Sequence, residues 1–158
     1  MMNKVMRIFI SFCAAFLLQA CGAQPAQVLQ PLPKSYSTQQ CYVSEGEVNI
    51  WLEEKAEWDQ LPAQTREAFS HVDINWQQER ILLLSEGQKP SAGYDLKVEG
   101  WLLEQDYWQA RKLVRTPAPD SLQAQMITSP CLLLVLPKTV KSFTLKNAAN
   151  QEIGRWPY

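Results

Sequence analysis

Arg80-Ile81-Leu82-Leu83-Leu84-Ser85 is the stretch on which the fold turns. Successive side chains of a strand point to opposite faces, so four apolar residues in a row leave no polar face. The run is too short for a buried helix and reads as a strand covered on both sides. Cys131-Leu132-Leu133-Leu134-Val135-Leu136 repeats the pattern and stops at Pro137, which has no N–H for a strand ladder.

The rest is read outward from these two runs. Gln88-Lys89-Pro90-Ser91-Ala92-Gly93 is a turn. Tyr94, Leu96 and Val98 then alternate with Asp95, Lys97 and Glu99, the pattern of a half-exposed strand. Gln105-Asp106 separates it from a second strand over 107–116, and the two read as a hairpin. Pro117-Ala118-Pro119-Asp120 opens a long loop that lasts to Pro130. Beyond the second apolar run, Val140, Phe143 and Leu145 continue the sheet, and 153–156 close it. Upstream, 41–52 is strand material, with a hairpin turn at Ser44-Glu45-Gly46-Glu47. Residues 53–69 have helical composition, with Trp58 and Leu61 on one face and Thr65 and Phe69 four apart. Pro62 splits this stretch into two short helices or kinks it. Roughly six or seven short strands with one or two short helices predict an α+β, mostly β domain. The expected architecture is a small antiparallel β-sandwich or a partly open barrel. It occupies 39–158, long enough to bury a core without staples.

The chain has 158 residues, 15 basic and 16 acidic, for a net charge of −1. That balance gives no electrostatic reason to expect a nucleic acid partner. Lys4 and Arg7 precede an apolar run, Ile8 to Leu18, interrupted only by Ser11. This is the layout of a secretory signal, too short to span a bilayer, where about 20 apolar residues are needed. Leu18-Gln19-Ala20-Cys21 follows at once and resembles the lipobox of bacterial lipoproteins. The resemblance implies cleavage after residue 20 and lipidation of Cys21 by several acyl chains, palmitate among them. More than one chain is what firm anchoring requires. Gly22 stands where an aspartate would favour inner-membrane retention, so the expected location is the outer membrane, facing the periplasm. Pro25, Pro31 and Pro33 among Gln, Ala and Ser mark 21–38 as a flexible tether.

Four cysteines are too few for a disulfide scaffold. Cys13 leaves with the signal and Cys21 carries lipid. Cys41 and Cys131 remain, and in an oxidising envelope two leftover thiols in a small domain are expected to pair, the alternative being two buried free thiols that pack as small hydrophobes. A loop of about ninety residues closed this way is stabilised by up to about 4.6 kcal/mol. With His71 as the single histidine, no metal site is expected, nor any cofactor.

The segment from Ile81 to Pro137 resembles the C-terminal domain of the PrcB family, named after a subunit of a bacterial surface protease complex. The resemblance rests on ordered pieces. Ile81-Leu82-Leu83-Leu84 leads to Gly87, then to Lys89-Pro90-Ser91-Ala92-Gly93-Tyr94. After the hairpin and the proline-containing loop comes Gln125-Met126-Ile127-Thr128-Ser129-Pro130, then the second apolar strand with Leu136-Pro137-Lys138. The family's turn is usually Pro-Thr-Gly-Gly-Tyr, and Ala92 replaces one of its glycines. The resemblance implies a fold and a non-catalytic accessory role, with an envelope protease or another envelope protein as partner. Pro90 to Tyr94 also looks like a loop of chagasin-type cysteine protease inhibitors, with Lys89 in the place of an asparagine. The glycine-rich second loop of those inhibitors is missing, and Arg155-Trp156-Pro157 holds the residue types of another of their loops in a different order. Protease inhibition is therefore the alternative function.

Loops carry function more often than strands do. Lys89, Pro90, Ser91, Gly93 and Tyr94 are the candidate partner-binding tip, with the amides of Gln123 and Gln125 as possible additions. The competing reading is that Pro90 and Gly93 only build the turn. His71 and Asp73 lack a nucleophile elbow beside them and do not make a triad. Glu53, Glu54 and Glu57 suit a first helical turn without any catalytic duty. Six tryptophans serve the core first, with Trp76 and Trp101 as candidates for a peptide- or glycan-binding surface.

Overall fold

A computed structural model describes residues 31–157. The expected signal at 1–20, the lipidation site Cys21 and the tether as far as residue 30 lie outside the described residues. The elements are β1 (Lys34–Thr38), β2 (Val48–Leu52), α1 (Lys55–Asp59), α2 (Ala63–Ala68), β3 (Glu79–Ser85), β4 (Asp95–Glu104), β5 (Tyr107–Arg115), β6 (Cys131–Pro137), β7 (Ser142–Lys146) and β8 (Glu152–Trp156). They form two four-stranded sheets, β1-β6-β3-β2 and β4-β5-β7-β8. The mostly β fold is a sandwich, not a barrel.

The two apolar runs are β3 and β6, the central strands of the first sheet, paired Leu82 to Leu134 and Leu84 to Leu132. One face, with Leu82, Leu84, Leu132, Leu134 and Leu136, packs onto Leu96, Trp108, Ala110, Phe143 and Leu145 of the second sheet. The opposite face, with Leu52, Ile81, Leu83, Leu133 and Val135, is covered by Phe69, Trp58 and Leu61. The helices and their flanks thus form a third layer, which is why these strands have no polar face. Each fully buried leucine contributes about 1.5–3 kcal/mol. Pro62 divides the helical stretch as expected and sits immediately before α2, where its missing N–H costs nothing.

The second sheet contains one parallel pair, β5 with β7. The chain leaves β5, crosses to the first sheet as β6, and returns beside β5 as β7. In β4 the register shifts between Glu99 and Leu102, and Gly100 there has φ +63°. The extra residue of this bulge reverses the side-chain parity. Leu96 and Val98 face the core before it, and Trp101 and Leu103 pack on the core after it.

Two expectations need correction. The tether was expected to last to residue 38, but Lys34–Thr38 form β1 on the free edge of β6. Their Lys-Ser-Tyr-Ser-Thr sequence has almost no apolar signal, because an edge strand is held by backbone pairing, and only Tyr36 packs against the core. The strand expected over 41–52 is reduced to β2. Cys41 is tied to Cys131 by a disulfide, its N–H donates to the Ser129 carbonyl, and the Thr65 hydroxyl donates to the Tyr42 carbonyl at 2.5 Å. Those ties use the backbone groups that a ladder would need.

Candidate functional site: a loop platform at one end of the sandwich

β3 and β5 both run toward one end of the sandwich, and β6 starts there. The connections 41–47, 86–94 and 116–130 meet at that end. Lys89 and Thr128 exchange backbone hydrogen bonds at 2.8 and 3.0 Å, and the Ala92 N–H donates to Ala124 at 3.1 Å. The Thr128 hydroxyl donates to the Ser91 carbonyl at 2.9 Å. The expected turn and the long loop are therefore one interlocked platform. Gly87 fastens it to 41–47. Its φ is +68°, a Cβ there would overlap the Glu45 carbonyl, and the next residue, Gln88, donates its N–H to that same carbonyl at 3.0 Å.

Gly93 has φ +91°, and a Cβ would come within 2.5 Å of Gln123 Oε1 and 3.1 Å of Pro117. Ala92 is not among the residues with positive φ. Position 92 is thus one where this backbone does not require a glycine, while position 93 does require it.

Beneath the platform lies a buried charge cluster. Lys112 occupies a core-facing position of β5, its side chain only 3% exposed, and pairs with Glu86 and, at 2.6 Å, with Glu47. Glu86 is itself buried and lies 3.8 Å from Lys89 Nζ. The Lys89 ammonium sits 5.7 Å from the centre of the Tyr94 ring, within cation–π range. Of the expected tip residues, Lys89, Ser91 and Tyr94 are half-buried in this arrangement, while Pro90, Gly93 and Gln125 are exposed.

The most exposed apolar groups of the platform belong to the long loop. Leu122 is 102% exposed, Ile127 71% and Met126 46%. Sequence reasoning did not single them out as contact residues. The available signal was the pair Met126-Ile127 inside a loop otherwise rich in Gln, Ser, Ala and Pro.

The remaining candidates are occupied elsewhere. His71 is exposed and meets the edge of Tyr36. Glu53 accepts hydrogen bonds from Trp51 Nε1 at 2.6 Å and from Arg80 at 2.8 Å. Glu57 accepts from the N–H groups of Glu53 and Glu54 at the start of α1. Trp101 and Trp76 are half-buried against the two core clusters. Trp156 is buried and stacks on Trp51 at the end of the sandwich away from the platform. The two segments that resemble inhibitor loops therefore do not share a surface.

No curated protein and no solved structure matches the chain. Residues 81–137, from β3 through both platform loops to the end of β6, match the family described as PrcB C-terminal.

Proposed function

We propose that this is a non-catalytic accessory protein of the bacterial envelope, anchored through lipid on Cys21 in the outer membrane and facing the periplasm. Its loop platform binds another envelope protein, and an envelope protease is the first candidate. The observation that carries this reading is the coincidence of the family match with the platform. The matched span contains both interlocked loops and the exposed Leu122, Met126 and Ile127. Adjacent exposed apolar side chains on an ordered loop favour a protein contact. Lys34, where the described fold begins, lies at the end of the sandwich opposite the platform.

The test uses the full-length tagged protein in its own membranes. Wild type retains a specific partner, and the double variant L122S/I127S loses it with no change in melting temperature. Cys21→Ser moves the protein to the soluble fraction and abolishes palmitate incorporation. Retention of the same partner by L122S/I127S would refute the platform as the binding face.

A further inference from the structure

At the end of the sandwich away from the platform, the start of α1, the segment before β3 and the residue after β6 enclose an open groove of about 370 Å³. Its lining is Glu54, Lys55, Ala56, Trp76, Gln77 and Lys138. Trp76 packs against the core cluster beneath the helices and also lines the groove, so it is a fixed aromatic plate. Lys55 is committed to Asp59 through contacts of 2.6 and 2.8 Å. The side chains of Gln77 and Lys138 have no hydrogen-bond or ion-pair partner among the described residues, and the Glu54 carboxylate has no ion-pair partner. Their backbones, by contrast, are fixed. Gln77 N–H donates to Asn75 Oδ1, Lys138 N–H to the Gln78 carbonyl, and the Lys138 carbonyl accepts from Arg80. One aromatic plate is therefore surrounded by a free cation, a free amide and the Glu54 carboxylate, which caps α1 by accepting the Glu57 N–H and keeps further acceptor capacity.

We propose that this groove binds a carboxylated sugar. A pyranose ring has one apolar face to lie on Trp76, which offers a large rigid surface at little entropic cost. Its hydroxyls donate to Glu54 and exchange hydrogen bonds with Gln77, which offers both donors and an acceptor. Its carboxylate pairs with Lys138. A simple inorganic anion would leave Glu54 facing like charge and the plate unused. A peptide side chain would find a single apolar surface rather than the enclosed apolar pocket that such ligands prefer. The inference is independent of the platform and of its partner.

The test titrates the full-length protein in detergent micelles with tetragalacturonate and with N-acetylmuramic acid, following the tryptophan indole N–H signals. Maltotetraose, phosphate and a Trp-free dipeptide are the comparison probes. At least one acidic sugar binds with a dissociation constant on the order of 1 mM and shifts the indole signal that is missing in W76F. Lys138→Gln weakens it about tenfold and leaves maltotetraose unchanged, and Trp76→Ala weakens every sugar. W76F, which keeps an aromatic plate, retains binding if W76A fails to fold. No binding by either acidic sugar, equal binding of phosphate or of the dipeptide, or insensitivity to both W76A and K138Q would overturn the proposal.

Discussion

At the residue scale, one glycine and one lysine decide whether the platform forms. Gly87 combines positive φ with backbone contact to Glu45, a pairing no side chain accommodates. Gly87→Ala is expected to cost about 2–4 kcal/mol, read as a lowered urea midpoint. Ala92→Gly, at an ordinary backbone angle, is expected to cost no more than about 1 kcal/mol. Lys112 is the second case. A buried ion pair is weak support for stability, but removal of one partner strands the other charge. Lys112→Met should therefore destabilise by about 3–5 kcal/mol, and K112M/E86L should recover most of that loss. A double variant as unstable as K112M would show that the pair is not the source of the cost. Neither residue's role was legible in the sequence. Gly87 was visible only as a member of a motif, and Lys112 is a charge in phase with Trp108 and Ala110 on the core side of β5, with nothing in the sequence to name Glu86 and Glu47 as its partners.

At the element scale, strands with strong apolar patterns were legible and strands held by pairing alone were not. β3 and β6 show their burial on both faces directly in sequence, and Pro62 marks the division between α1 and α2. β1 shows almost nothing, because its partner, the edge of β6, supplies the hydrogen bonds that hold it. The bulge in β4 was equally hidden, since parity reverses at Gly100 without breaking the run of β-forming residues. The hairpin between β4 and β5 carries a pH prediction. Lys141 Nζ lies 2.8 Å from Asp106 Oδ2, and its hydrogen bond and charge hold the Asp106 carboxyl below its ordinary pKa. The same pair raises the Lys141 pKa. A depressed carboxylate pKa adds stability above the unfolded-state value and loses it as pH falls through the folded value. The raised ammonium pKa adds stability below the ordinary lysine value and loses it as pH rises beyond it. Asp106→Asn should therefore flatten the fall in melting temperature below about pH 4 and leave the pH 6–8 region unsloped. Both groups are exposed, so the difference should be small and should shrink in 1 M salt. An unchanged acid slope in D106N would rule the pair out.

At the scale of the whole molecule, the sandwich has two unlike ends. One carries the disulfide Cys41–Cys131 and the platform. The other carries the Trp51–Trp156 stack and, beside the start of α1, the groove at Trp76. The tip residues of the platform were legible as a turn with polar ends. The loop that supports them was legible only as a loop, because its contacts with Lys89, Ser91 and Ala92 join residues more than thirty positions apart. The order of the pieces is what tied them together, and the match over 81–137 covers the same span. Site-specific photo-crosslinking in living cells separates a binding platform from a merely structural one. A photoreactive residue placed at Leu122 or at Ile127 should give one discrete adduct with the same envelope protein, and at Gln64, exposed on α2, it should give none. Adducts that are absent at both loop positions, or that appear equally at Gln64, would contradict the platform as the partner-binding face.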